Sequence, residues 1–200
     1  MTTGVPAHHL LLTDPRWRPG DDGEEPPPGA VVGLWPVHPD GSTGPFSANP
    51  GHRPGTPDAP TDPLDAALRL LARRRLPPAR VRLLLRESLV DVALDASGAP
   101  LLTASPDAAT CVMVATAGAH AERIGAPRLL RAGVAEVAAL LDDDVDVLVN
   151  PGGPAPVRLT RDFWCATAAL TPADAAAGRA PRRSGTTAAP EGTGPPQPPR

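Results

Sequence analysis

Residues 61–94, TDPLDAALRLLARRRLPPARVRLLLRESLVDVAL, contain the change of hydrophobic period that decides the fold. Thr61, Asp62 and Pro63 form a helix-start signal, because a polar cap, a proline and acidic groups suit the free amides and the dipole of a first helical turn. The apolar residues that follow fall on one helical face. They are Leu64, Ala67, Leu68 and Leu71. This pattern predicts a helix over residues 61–75.

The period then changes from helical to alternating. A second short helix is predicted over residues 78–87, between a pair of prolines and the first alternating residues. Val90, Val92 and Leu94 alternate with other residues, as in a strand that packs on one face. The turn-forming residues at 95–98 should return the chain as a hairpin.

Elements of both types continue to the end of this region. Further strands are predicted at 111–115, 128–131, 145–149 and 156–159. Further helices are predicted at 119–124, 134–141 and 160–170. Helices and strands alternate without a clean repeating unit. We therefore predict an α+β fold, with a single mixed β-sheet and several helices packed on it.

Composition divides the 200-residue chain into three parts. The whole chain contains 29 Pro and 19 Gly, a level close to that of low-complexity sequences. Of these 48 residues only 14 lie within 64–170, which holds 32 of the 41 Leu, Val, Ile and Phe residues. We predict a domain at 61–170 and a Pro/Gly-rich segment at 1–60 that packs on it. That segment should form an edge hairpin from 30–37 and 43–47 and be loop-like elsewhere, and residues 171–200 should be a disordered tail.

Charge and composition exclude several classes of function. The net charge of −3 gives no overall basic field for nucleic acid or an acidic membrane. One local group of arginines is predicted to be the solvated face of the first two helices: Arg69, Arg73, Arg74, Arg75, Arg80, Arg82 and Arg86. There is no lysine, so Schiff-base and pyridoxal phosphate chemistry are excluded. No apolar stretch is long enough to span a bilayer and no signal peptide is present, so we predict a cytoplasmic protein.

No set of residues has a spacing that points to a metal, a cofactor or an active site. The five histidines lack ligand spacing, and the acidic run at 142–146 lacks the glycine and the final glutamate of a calcium loop. Cys111 and Ser88 are the nucleophiles of a remote hydrolase alternative. Cys111 lies in an apolar strand, where burial raises a thiol pKa, so packing is the favoured interpretation. We predict a non-enzymatic protein without cofactors.

The turn at residues 150–154, Asn-Pro-Gly-Gly-Pro, is the most distinctive local string. It has no lysine, and its prolines remove backbone donors that a phosphate would need, so it is not a phosphate loop. A rigid turn that leaves a buried strand is the favoured interpretation. An exposed recognition corner is the alternative.

Two parts of the sequence together resemble a known family. The first comprises the strand with Trp35, then Asp40-Gly41, then Asn49-Pro50 with His52-Arg53-Pro54, and then residues 61–67. The second is residues 147–154 followed by 157–159. Over about residues 8–165 the chain resembles the actinobacterial type VII secretion system-associated proteins, whose second half is similar to the SseB N-terminal domain. It departs from that pattern at 115–119, where the family tends to have an aromatic residue and Ser-Pro.

The resemblance implies a cytosolic accessory protein, adaptor or chaperone-like, that binds a type VII secretion component or substrate. It implies no catalytic residues. The candidate interaction surface comprises Trp35, Asn49, Pro50, Arg53, Asn150, Pro151, Gly152, Gly153 and Pro154. The alternative is a regulatory domain that binds a small ligand near the 150–154 turn and Trp35.

Overall fold

A computed structural model describes residues 6–20, 23–56, 58–171 and 173–174. The strands are β1 His8–Thr13, β2 Val31–Val37, β3 Ser47–Ala48, β4 Val90–Leu94, β5 Leu102–Ala104, β6 Thr110–Ala115, β7 Arg128–Ala132, β8 Asp146–Val149 and β9 Val157–Leu159. The α-helices are α1 Pro63–Ala72, α2 Pro78–Arg86, α3 Gly118–Ile124, α4 Val134–Ala138 and α5 Arg161–Ala168. The predicted α+β class is confirmed.

The larger sheet has six strands and mixed direction. Its order is β7-β4-β6-β8-β9, and β5 pairs with β6 beside this path. Strands β6 and β8 are parallel, with Val114 opposite Val149, while the other pairs are antiparallel. The carboxyl ends of β6 and β8 therefore lie next to each other at the same end of the sheet.

The main core lies between this sheet and four of the helices. It contains apolar residues from α1, α2, α4 and α5 and from the central strands. Leu64 and Leu68 on α1 are buried as the helical spacing predicted, and so are Val92, Val114 and Val147 on the sheet. Burying each such side chain contributes roughly 1.5–3 kcal/mol. Trp164 on α5 is fully buried, and its indole N–H donates to the carbonyl of Val134 at 2.9 Å.

The N-terminal segment forms a second, three-stranded antiparallel sheet in the order β1-β2-β3, so the described strands form two sheets where the sequence predicted one. The predicted hairpin is present in outline, since β2 occupies its first strand and Val37 bridges Thr43. The prediction that the remainder is loop-like was wrong, because residues 8–13 form β1. This strand pairs along its whole length with β2, from His8 opposite Val37 to Thr13 opposite Val31.

Backbone hydrogen bonds connect the second sheet to the rest of the molecule. The N–H of Phe46 donates to the carbonyl of Glu87 at 2.6 Å, and the N–H of Leu89 donates to the carbonyl of Phe46 at 2.8 Å. Phe46 also lies in a small apolar cluster that includes Val32, Ala48 and Ala117. Ala117 precedes α3, so this cluster joins the N-terminal segment to the larger sheet's connection into that helix.

Three local predictions differ from the structure. The predicted hairpin at 95–98 is only a turn with one bridge, Leu94 to Pro100, because β5 then leaves β4 and pairs with β6. Arg69 is buried, where a solvated position was predicted, because it lies one helical turn after Asp65 and pairs with it. The α4 helix ends at Ala138, before the predicted residue 141. The predicted disordered tail lies outside the described residues, apart from 171, 173 and 174.

Candidate functional site

The two strings that carry the resemblance meet where β6 and β8 end. Asn150, the first residue after β8, is 1% exposed and has a φ of 55°, a left-handed conformation that asparagine tolerates well. Its side-chain oxygen accepts the backbone N–H of Thr116 at 2.9 Å. Its amide nitrogen donates to the hydroxyl of Thr116 at 3.1 Å and lies 3.4 Å from a carboxylate oxygen of Asp65.

The start of α1 supplies further polar groups at the place where β6 and β8 end. One carboxylate oxygen of Asp62 caps the helix by accepting the backbone N–H groups of Leu64 and Asp65, at 2.9 and 3.0 Å. The other oxygen accepts the hydroxyls of Thr61 and Thr116, both at 2.7 Å. Burial raises the pKa of Asp62, although the hydrogen bonds from the Thr116 hydroxyl, the Asp65 amide and the Thr61 hydroxyl act to lower it.

Asp65 connects the junction to Arg69 and to α3. Arg69 donates to the Asp65 carboxylate from Nε and from a terminal nitrogen, the latter at 2.8 Å. The N–H of Thr61 donates to the same carboxylate at 3.0 Å. Burial acts to raise the pKa of Asp65, but the combined effect of His120, Arg69 and the Thr61 amide is to lower it.

His120 on α3 closes the junction from the opposite side. Its Nδ1 lies 3.2 Å from a guanidinium nitrogen of Arg123, which can only donate, so the imidazole hydrogen belongs on Nε2. Nε2 lies 3.6 Å from Asp65, which is an electrostatic contact longer than a hydrogen bond. We call the group formed by Thr61, Asp62, Asp65, Arg69, Thr116, His120 and Asn150 the polar junction.

The polar junction is a structural element that joins four parts of the chain. Both oxygens of Asp62 are fully used by protein donors, and Asn150 satisfies the backbone of Thr116. Buried polar groups that are hydrogen-bonded in this way stabilise a fold. The junction therefore fixes α1, α3 and the ends of β6 and β8 relative to one another. Asn150 belongs to this interior and not to the surface on which the sequence placed it.

The exposed candidate residues lie around α3. Pro50 packs so closely on Gly118 that a Cβ there would lie 2.4 Å from the Pro50 carbonyl oxygen. Arg53 forms an ion pair with Glu122. On the other side of the helix, a Cβ on Gly153 would lie 3.0 Å from Nδ1 of His120, and Gly152 is exposed beside Arg123. The two strings thus contact α3 from either side.

The other candidate residues have different positions. Trp35 is half-buried in the small cluster that includes Ala117, and its ring centroid lies 4.7 Å from that of Phe46. Asn49 donates to the carbonyls of Pro28 and Val31, both at 2.8 Å, so it holds the N-terminal segment together. Pro151 is half-buried and Pro154 is exposed.

An open groove of about 580 Å³ runs beside α3. Its walls are Pro50 from the N-terminal segment, Gly118, Ala121 and Glu122 from α3, and Leu129 from β7. Strand β7 is a terminal strand of the larger sheet, and Leu129 is 47% exposed. We call this feature the α3 groove. It combines an exposed sheet edge with apolar and charged side chains, which suits an extended peptide segment.

The proposed nucleophiles lie in environments that do not activate them. Cys111 is fully buried, and burial raises the pKa of its thiol. The hydroxyl of Ser88 donates to the carbonyl of Leu84 at 2.7 Å. Within the described part of the chain no three His, Cys, Asp or Glu side chains are grouped to hold a metal ion. Within the same residues no helix has the length and apolar character needed to cross a bilayer.

A separate recess of about 300 Å³ lies in the N-terminal segment, lined mainly by apolar groups with Asp14 and His52. Asp14 is buried, and two bonds from the Arg16 side chain, at 2.7 and 3.0 Å, hold its carboxylate. Hydrogen bonds from the Arg16 side chain and backbone lower the pKa of Asp14 to about 2. Nδ1 of His52 lies 3.1 Å from the carbonyl oxygen of Gly29 and donates to it in the tautomer that carries the imidazole hydrogen on Nδ1.

Comparison with protein-family models, with curated proteins and with solved structures found no match for this chain.

Sequence reasoning identified Asp62, Asp65 and Asn150 only as members of separate strings. It missed Thr116 and His120, which connect those strings. Thr116 follows a buried strand and His120 lies in the helix after it, so their position at a strand-to-helix turn was the available signal. No local pattern shows that the Thr116 hydroxyl meets a carboxylate 54 residues earlier in the chain.

Proposed function

We propose that this chain is a non-enzymatic cytoplasmic accessory protein that binds a protein component or substrate of a type VII secretion system. The family resemblance is the basis for naming a secretion system, and the α3 groove is the surface proposed to bind the partner. The observation that carries the proposal is that Pro50 and Arg53, from the string resembling the family, lie on α3 next to the exposed edge strand β7.

The geometry of the α3 groove favours an extended protein segment as the partner. An edge strand presents unpaired backbone groups that a further strand can bond, and the neighbouring side chains then select its sequence. Leu129 offers apolar area, while Glu122 and Arg131 line the same groove with opposite charges. Arg131 is held by two bonds to Asp91, at 2.9 and 3.0 Å, so its position is fixed before a partner arrives.

Affinity capture from a host lysate with matched variants tests this proposal. Leu129→Asp places a charge in the α3 groove, whereas Leu102→Asp makes the same change on β5, where the leucine is 56% exposed. The wild-type protein and Leu102→Asp should recover a secretion component or substrate, and Leu129→Asp should lose it. Equal recovery by both variants, or no secretion protein with the wild type, would contradict the proposal.

A small-ligand regulatory domain is the second candidate, and the recess at Asp14 and His52 supports it. Its volume of about 300 Å³ is at the lower end of the range for ligand sites. The place that the sequence predicts, near the 150–154 turn and Trp35, is less suitable because the side chain of Asn150 bonds to Thr116 there. A thermal-shift screen with metabolites should find a stabilising compound whose effect is lost in His52→Ala; no stabilising compound would count against this candidate.

A further inference from the structure

The connection between α1 and α2 has the highest concentration of positive charge in the described structure. Residues 70–86 contain six arginines and no acidic residue, in a chain whose net charge is −3. Arg82 lies 4.8 Å from the ring centroid of Phe163, and Arg86 donates to the carbonyl of Leu170. Arg73, Arg74 and Arg75 are exposed and form no ion pair with any described residue.

An apolar groove begins at the next residue. Leu76, together with Leu83 and Leu84 on α2, lines a groove of about 340 Å³, and Arg80 and Glu87 complete its lining. Arg80, Leu83 and Leu84 on α2 and Glu87, the residue that caps its end, are spaced i, i+3, i+4 and i+7, so they lie along one face of that helix. We call this face, with Leu76 and the three exposed arginines, the basic groove.

The backbone at Arg74 is the third observation. Arg74 has a φ of 56°, and the bonds from its N–H to Leu71 and from the N–H of Arg75 to Leu70 form the double-bonded end of α1. Glycine is the residue usually found at this position, because a side chain there is strained. An unpaired arginine at a strained, exposed position indicates a role for its charge outside the fold.

We propose that the basic groove binds an acidic amphipathic segment of a partner protein. The apolar stripe of that segment would pack on Leu76, Leu83 and Leu84, and its carboxylates would face Arg73, Arg74 and Arg75. This surface is distinct from the α3 groove, and the inference does not depend on the secretion system.

Charge complementarity together with the apolar recess favours this partner over nucleic acids and anionic membranes. A single-stranded nucleic acid is bound largely through aromatic side chains on which its bases stack, and the groove has no aromatic lining. An anionic membrane surface would leave a recessed groove unfilled. An amphipathic segment of a protein uses both the recess and the neighbouring charge.

Fluorescence anisotropy with the full-length protein tests the proposal. The probe is a synthetic peptide of about 18 residues with leucine at i, i+3, i+4 and i+7, glutamate along one side of that stripe and alanine at the remaining positions, so that it can form an amphipathic helix. It should bind more weakly as salt is raised. Arg75→Glu should weaken binding about tenfold, whereas Arg128→Glu, an equal charge change on β7, should stay within about twofold of the wild type. Arg74→Gly should also weaken binding while leaving the fold intact.

Three controls decide the chemistry of the partner. A peptide with the same acidic residues but serine in place of leucine should bind at least about tenfold more weakly, because it cannot fill the groove. Equal binding of that peptide, equal loss in Arg75→Glu and Arg128→Glu, or no binding of the amphipathic peptide would overturn the proposal. So would binding of phosphatidylglycerol vesicles or single-stranded RNA in preference to the peptide. Circular dichroism of each variant shows whether it is folded.

Discussion

At the scale of single residues, Asn150 makes the clearest contribution to stability. Replacing it with alanine removes the acceptor for the buried Thr116 N–H. It also places alanine, which disfavours positive φ, at a position where φ is 55°. An unsatisfied buried donor costs about 1–3 kcal/mol, so Asn150→Ala should lower the free energy of unfolding by about 2–3 kcal/mol. Urea denaturation measures this. Pro154→Ala, on the exposed end of the same turn, should change it by less than about 0.5 kcal/mol.

Asp14 gives a prediction for acid stability. Its folded-state pKa of about 2 is lower than the ordinary value of 3.8, so its carboxylate stabilises the fold above about pH 4 and loses this effect as the pH falls towards 2. The partner Arg16 is exposed, so the contribution is about 1 kcal/mol. Asp14→Asn should therefore be less stable than wild type at neutral pH. Denaturation at several pH values should show the two proteins converging below pH 4; a constant difference would contradict the assignment.

At the scale of elements, one substitution at the end of α1 should raise stability and weaken binding at the same time. Arg74→Gly removes the strain of a side chain on left-handed backbone, so it should raise the free energy of unfolding by about 1 kcal/mol. Thermal unfolding should show a higher melting temperature, in the same variant that weakens binding at the basic groove. Arg73→Gly, at the preceding cap residue where φ is −85°, is the control and should not be stabilising.

The elements also show how far the sequence could predict the structure. Helices α1 and α2 and strands β4, β6 and β8 were predicted because their hydrophobic period is local. Strand β1 was missed because His8–Thr13 has no alternating pattern and is defined by its pairing with β2, about 20–30 residues further along the chain. Asp62 was identified as part of a helix start, but its bond to Thr116 depends on the tertiary arrangement.

At the scale of the whole molecule, the N-terminal segment and the larger sheet should unfold together. Phe46 bonds to the backbone on both sides of Ser88, and Pro50 packs on Gly118, so separating the two parts breaks buried contacts. Trp35 reports on the smaller sheet and Trp164 on the main core. Two variants, each retaining one of these tryptophans and with Trp17 replaced by Phe, should show coincident fluorescence transitions after correction for their stability. Separate transitions would show independent units.

The central claim is that the α3 groove holds a protein of a type VII secretion system. Site-specific photo-crosslinking tests it most directly, in the cell that naturally makes this protein. A photoreactive amino acid is placed at position 129 in the α3 groove or at position 102 on β5. Mass spectrometry should identify a secretion component or substrate joined to position 129 and absent from position 102. No adduct at 129, or the same adducts at both positions, would contradict the claim.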